Sequence, residues 1–123
     1  MGTLTVGLSF TSPAGDIATD ALAMTLTDNL TTTTPNVGVS RMTALLASPT
    51  NILTAAAAPT TTYLYLKNTD SVNIVVVKTD AAVGMVDLAP GEFMFMPLKG
   101  AVGVEVQGAG GDCITEYASW TKG

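Results

Sequence analysis

With 123 residues, the chain fits one domain that can bury a modest core without disulfide staples. Its charged fraction of 12% is about half the roughly 25% usual in folded proteins, so much of its surface reads as covered by other subunits rather than by water. The net charge of -5, with Arg41, Lys67, Lys78, Lys99 and Lys122 isolated from one another, argues against a nucleic-acid groove.

In chain order, residues 3–10 alternate with a period of two. Leu4, Val6, Leu8 and Phe10 fall on one side and Thr3, Thr5, Gly7 and Ser9 on the other, which predicts a half-buried strand. Pro13 and Gly15 end it in a turn. Residues 18–30 are ambiguous: Leu22, Met24 and Leu26 suit a strand, while Ala18, Ala21, Leu22 and Thr25 fit a weak helix. The threonines favour the strand, since they lose rotamer freedom in a helix. Residues 37–46 predict a further strand, with Val37, Val39, Arg41 and Thr43 opposite Ser40, Met42, Ala44 and Leu46. After a turn at residues 48–51 comes a short apolar piece, Ile52 and Leu53. The alanines at 55 to 58 are too few to nucleate a helix.

Residues 61–98 hold the densest β signal. Leu64 and Leu66 oppose Tyr63, Tyr65 and Lys67, and residues 68–71 form a polar turn. Residues 72–79 are apolar on both faces, with Ile74 and Val76 alternating with Val75 and Val77, which predicts cover on both sides. Residues 80–86 read as a loop containing Gly84. Pro90 and Gly91 suit the two central positions of a type II turn. The strand after it sets Phe93 and Phe95 against Met94, Met96 and Leu98. Residues 101–107 point Val102, Val104 and Val106 inward, residues 108–112 form a glycine-rich hairpin connection, and residues 113–120 close the chain with Ile114, Ala118 and Trp120 opposite Tyr117. These segments amount to about eight or nine short strands, the pattern of an all-β, single-domain antiparallel β-sandwich or jelly-roll-like barrel. Residues 1–123 form that one domain, with residues 1–12 as an edge strand or an arm contacting a neighbouring subunit.

Chemistry is sparse. Histidine is absent, so Ser-His-Asp and Cys-His arrangements and histidine zinc sites are missing. The single Cys113 excludes an intrachain disulfide and a CxxC metal pattern, and it reads as a small buried thiol. Nothing selects a catalytic pair from Asp87, Glu92, Glu105, Asp112 and Glu116. Asp70, Asp80 and Asp112 lack the dense ligand alternation of a calcium loop. The glycines at 108, 110 and 111 are followed by Asp112 and a strand rather than by the Lys-Ser/Thr and helix of a phosphate loop. No basic n-region and apolar h-region open the sequence, so no cleaved secretory signal is expected. The longest mild apolar run, residues 53–59, is far short of the roughly 20 residues of a helical membrane span. The expectation is a non-enzymatic protein with no catalytic residue, no cofactor and no metal, and without nucleic-acid or membrane partners. Apolar faces in excess of one core mark Leu4, Val6, Leu8, Phe10, Tyr63, Tyr65, Phe93, Phe95 and Trp120 as interface candidates.

The succession Tyr63-Leu-Tyr-Leu-Lys-Asn68, Ile74-Val-Val-Val77, Leu88-Ala-Pro-Gly-Glu92, Phe93 to Pro97, Val104-Glu-Val106 and Thr115-Glu-Tyr117 resembles small β-rich structural proteins of the virions of tailed bacteriophages. The similarity covers residues 63–117. It implies a virion component: a capsid cement or decoration subunit that stabilises the phage head, or alternatively a neck, tail or fibre part. It further implies a major capsid protein or other virion subunits as partners, a dimeric or trimeric homo-oligomer and virion localisation, with residues 1–10 reaching across a capsomer boundary. A carbohydrate-binding β-sandwich module is a further alternative, and it requires exposed coplanar rings among Tyr63, Tyr65, Tyr117 and Trp120.

Overall fold

The computed structural model describes residues 2–16, 21–33, 39–54 and 61–122. Among them are ten strands and no helix: β1 (Gly2–Ser12), β2 (Leu22–Thr32), β3 (Ser40–Ala44), β4 (Thr50–Leu53), β5 (Thr62–Asn68), β6 (Ile74–Thr79), β7 (Gly84–Leu88), β8 (Phe93–Leu98), β9 (Val104–Ala109) and β10 (Cys113–Thr121). The expectations for Ala18, Val37 and the alanines at 55 to 58 fall outside the described residues.

All pairings are antiparallel, and β3 to β10 form two four-stranded sheets. The front sheet has the order β3-β10-β5-β8 and the back sheet β4-β9-β6-β7. Counted from β3, strands one, eight, three and six lie together and face two, seven, four and five. That interleaving is the strand order of a jelly roll. The strands β1 and β2 stand apart as a long hairpin paired from Gly2↔Thr32 to Ser12↔Leu22. This arm joins the body through the bridge Thr32↔Lys122 and the bond from Thr33 N–H to the Thr121 carbonyl (3.0 Å).

The alternation read from the sequence places the core. Leu64 and Leu66 of β5, Val75 and Val77 of β6, and Val104 and Val106 of β9 are fully buried between the sheets, with Met94, Met96 and Tyr117 packed against them. Each such side chain contributes about 1.5–3 kcal/mol relative to an exposed one. The Pro90-Gly91 turn forms as expected: Glu92 N–H donates to the Ala89 carbonyl at 3.0 Å, and Gly91 takes φ +82° at the position that a type II turn reserves for glycine.

Three local expectations change. The loop assigned to residues 80–86 is half strand, because β7 starts at Gly84 and pairs with β6 from Lys78↔Gly84 to Val75↔Leu88. A strand of five residues at a sheet edge needs only one buried face, and Val86 and Leu88 supply it. Second, β9 starts at Val104, so Val102 lies in the preceding turn while Gly108 is drawn into the strand. Third, β6 is not covered on both sides: Val75 and Val77 are buried, whereas Ile74 is exposed and Val76 half-buried.

At one end of the sandwich Asn68 fastens the sheets together. Its Nδ2 donates to the carbonyls of Asn73 (2.8 Å) and Leu88 (2.9 Å), and its Oδ1 accepts from Asp70 N–H (2.9 Å). Asp70 in turn accepts from Val72 N–H (2.9 Å) and Asn73 N–H (2.6 Å). A front-sheet side chain thereby holds the start of β6 and the end of β7, both in the back sheet.

Candidate interaction surface

The period-two pattern that fills the core also decides what faces outward. On the front sheet, cross-strand pairing aligns Tyr63 with Trp120 and Pro97, Tyr65 with Ala118 and Phe95, and Lys67 with Glu116 and Phe93. The outer face is therefore a field of Tyr63, Tyr65, Phe93, Phe95, Pro97, Trp120 and Ile114, with Lys67, Glu116 and Arg41 as its charged members. The outer face of the back sheet carries Asn51, Ile74, Val76, Lys78, Met85, Asp87, Glu105 and Gln107. There Lys78 Nζ donates to Gln107 Oε1 at 2.7 Å, and Gln107 Nε2 donates to the Leu46 carbonyl at 2.8 Å. One side of the body is mainly aromatic and the other mixed and hydrogen-bonded.

The arm repeats this asymmetry. Its pairings Leu4↔Leu30, Val6↔Asp28, Leu8↔Leu26, Phe10↔Met24 and Ser12↔Leu22 gather the large apolar side chains on one face, while Thr3↔Thr31, Thr5↔Asn29, Gly7↔Thr27 and Ser9↔Thr25 make the other face polar. The near half of the apolar face turns toward the aromatic field. Val6, Leu8, Leu26, Leu30, Tyr63, Phe95 and Pro97 enclose an open apolar cleft of about 470 Å³, with Asp28 as its acidic member. Tyr63 is almost covered there, at 7% exposure, its ring nearly parallel to Phe95 (11°, centroids 6.1 Å apart) in the offset geometry that aromatic pairs favour. Leu26 on the cleft wall is 55% exposed, and away from the cleft the apolar surface is open: Phe93 is 59% exposed, and Phe10, Met24 and Ile114 are exposed as well.

The polar members of the field hold one another. Tyr65 Oη donates to Glu116 Oε1 at 2.9 Å, and Arg41 Nε lies 3.7 Å from Glu116 Oε2. Burial, and then the bond and charge of Glu116, push the Tyr65 phenol above its ordinary value, so it stays a neutral donor. The Arg41 guanidinium is largely exposed, and such a surface pair is worth about 0–1 kcal/mol.

All nine interface candidates read from the sequence fall on these two surfaces. Leu4, Val6, Leu8 and Phe10 lie on the apolar face of β1, and Tyr63, Tyr65, Phe93, Phe95 and Trp120 on the outer front sheet; Val6, Leu8, Tyr63 and Phe95 meet in the cleft. The β2 half of the arm face, Leu22, Met24, Leu26 and Leu30, was not among those candidates. Its alternation with Thr25 and Thr27 was the signal that marks it. An exposed ring platform is not formed by Tyr63, Tyr65, Tyr117 and Trp120, because Tyr63 is covered and Tyr117 pairs with Leu66 on the inner face.

Elsewhere the polar groups serve the fold. Cys113 is fully buried, and burial, reinforced by Asp70, raises its thiol pKa and so disfavours the thiolate. Glu92 accepts from Ala89 N–H (2.8 Å) and Asp112 from Leu46 N–H (2.8 Å). Among the described residues no three His, Cys, Asp or Glu side chains converge as a metal site, and Asp70, Asp80 and Asp112 sit in separate loops. Gly110 takes φ +89° in the β9–β10 turn, in keeping with a hairpin connection. Comparison with protein-family models, with curated protein sequences and with solved structures finds no match to this chain.

Proposed function

We propose that this chain is a non-enzymatic virion structural protein, a capsid cement or decoration subunit that stabilises a phage head by covering its surface. Jelly rolls serve in viral shells and also in lectins and cupins, so the architecture alone does not choose among them. The observation that carries the reading is the sidedness of the molecule. The core is already closed between the two sheets, yet the arm and the outer front sheet add a second, mainly apolar surface, while the outer back sheet mixes Ile74, Val76 and Met85 with Lys78, Asp87, Glu105 and Gln107. Contiguous exposed apolar surface of this kind marks a docking side. A two-stranded ribbon as long as the arm is marginally stable in water without cover.

Mechanically, such a subunit works by differential binding. If it binds the assembled, expanded shell and not the alternative states, it stabilises that shell by RT ln(1 + [L]/Kd), about 2.7 kcal/mol per site at a hundredfold excess over Kd. The test is cryo-electron microscopy of the particle from which the chain comes, with the subunit located by its density. Density repeated over the icosahedral shell is the expected result. Density confined to a unique vertex or to the tail would replace cement by a neck, tail or fibre part, and failure to find the chain in any particle would overturn the virion reading.

A further inference from the structure

We infer that the occupant of the arm's apolar face is a second copy of this chain: each arm lies across the outer front sheet of a neighbouring copy and covers its Phe93, Phe95 and Ile114. The inference takes from the reading above only that this surface is covered in an assembly, and it names what covers it.

The arm is longer than the surface its own body offers it. Eleven residues per strand give the arm about 36 Å, whereas the six and seven residues of β8 and β5, which carry most of the aromatic field, span roughly 20–23 Å. Within one chain only the near half of the arm, as far as Leu8 and Leu26, reaches the cleft. Phe10, Met24 and Leu22 continue the same apolar face beyond the cleft and are exposed. The Phe93 and Ile114 end of the field is left open as well. Each chain therefore carries an unsatisfied surface together with its complement.

The two surfaces are also continuous. The cleft already sets arm side chains against Tyr63, Phe95 and Pro97, so the contact asked of the partner extends a contact present within the chain. Exchange of such an element between identical copies is an economical route to closed oligomers.

Charge selects the pairing. From residue 2 to residue 33 the sequence has Asp16, Asp20 and Asp28 and no Lys or Arg, and Asp28 stands in the apolar face itself. Two arms laid face to face would bring like charges together. On the outer front sheet Lys67 stands beside Phe93, and Arg41 offsets Glu116, so the acidic arm meets a face with one net positive charge there.

Sedimentation of the full chain over a wide range of concentration tests the inference, together with the exposed-site variants Met24→Asp and Phe93→Asp. The wild type is expected to form a dimer or closed trimer. Each variant is expected to weaken association by about tenfold or more, with an unchanged circular dichroism spectrum. In a second measurement, Met24→Cys and Phe93→Cys chains are mixed and oxidised, and mass spectrometry is expected to find the mixed disulfide in excess over the Met24→Cys homodimer. A monomer at every concentration, an oligomer indifferent to Phe93→Asp, or a dominant arm-to-arm disulfide would each overturn arm exchange. A monomer that still decorates shells in cryo-electron microscopy would leave the virion reading standing with a different partner on the arm. An arm-exchanged oligomer found in no particle would do the reverse.

Discussion

A buried amide destabilises a protein unless its polar atoms find partners, and Asn68 meets that condition with three side-chain bonds, two of which reach across to the other sheet. Replacing it by Ala strands two carbonyls and one N–H. Asn68→Ala is expected to lower stability by about 2–4 kcal/mol in urea denaturation. Thr115, its cross-strand neighbour, is the opposite case, because its Oγ1 is buried without a hydrogen-bond partner. Thr115→Val, which exchanges that hydroxyl for a methyl of similar size, is expected to be neutral or to gain about 1 kcal/mol in the same assay. Beside Asn68, the Asp70 carboxyl is held below the usual carboxylate range by the N–H groups of Asn73 and Val72. Its folded pKa thus lies below its unfolded one, so its contribution is complete above the unfolded value and fades as pH falls through the folded value. The expected outcome is that Asp70→Asn makes stability less sensitive to acid below about pH 4, as read by denaturation midpoints along a pH series.

Among the elements, β9 is the one most constrained by backbone crowding. A Cβ on Gly108 would collide with the Gly111 carbonyl and come within 2.9 Å of the Ala44 carbonyl oxygen. Both obstacles are backbone, so Gly108→Ala is expected to cost about 3 kcal/mol. Gly7→Ala in the arm meets nothing within 4 Å and serves as the control in the same thermal melts. Gly108 also shows how far elements could be read from sequence. In the succession Gly-Ala-Gly-Gly it reads as turn, and only its fit between neighbouring backbones makes it strand. β1 and β5 were legible because their two faces meet different surroundings and their residue types alternate accordingly, and β8, apolar on both faces, was legible as an aromatic run after the Pro90-Gly91 turn. β7 was hidden, since five residues beginning with Gly84 resemble the loop before them. Asn68 read as the first residue of a turn; nothing in its neighbours announced that it would lie fully buried between two sheets. The interface candidates were legible as surplus apolar faces, but the cleft was not, because it depends on where the arm swings after Thr32.

For the whole molecule, the jelly-roll order ties distant parts of the chain: β3 pairs with β10 and β4 with β9. Loop closure over such separations slows folding. Refolding from urea, followed through the sole tryptophan, Trp120, is expected on a scale of milliseconds to seconds rather than microseconds. If the proposed assembly forms, the two unlike sides would also impose an orientation on it. Copies laid flat on a support would bury the same side every time, since an inverted copy would leave its aromatic side wet. A particle clad in this way would show its surroundings Lys78, Glu105 and Gln107 in a repeating grid. Its electrophoretic mobility and its reactivity toward amine-directed labels would then be properties of the cladding and not of the shell beneath.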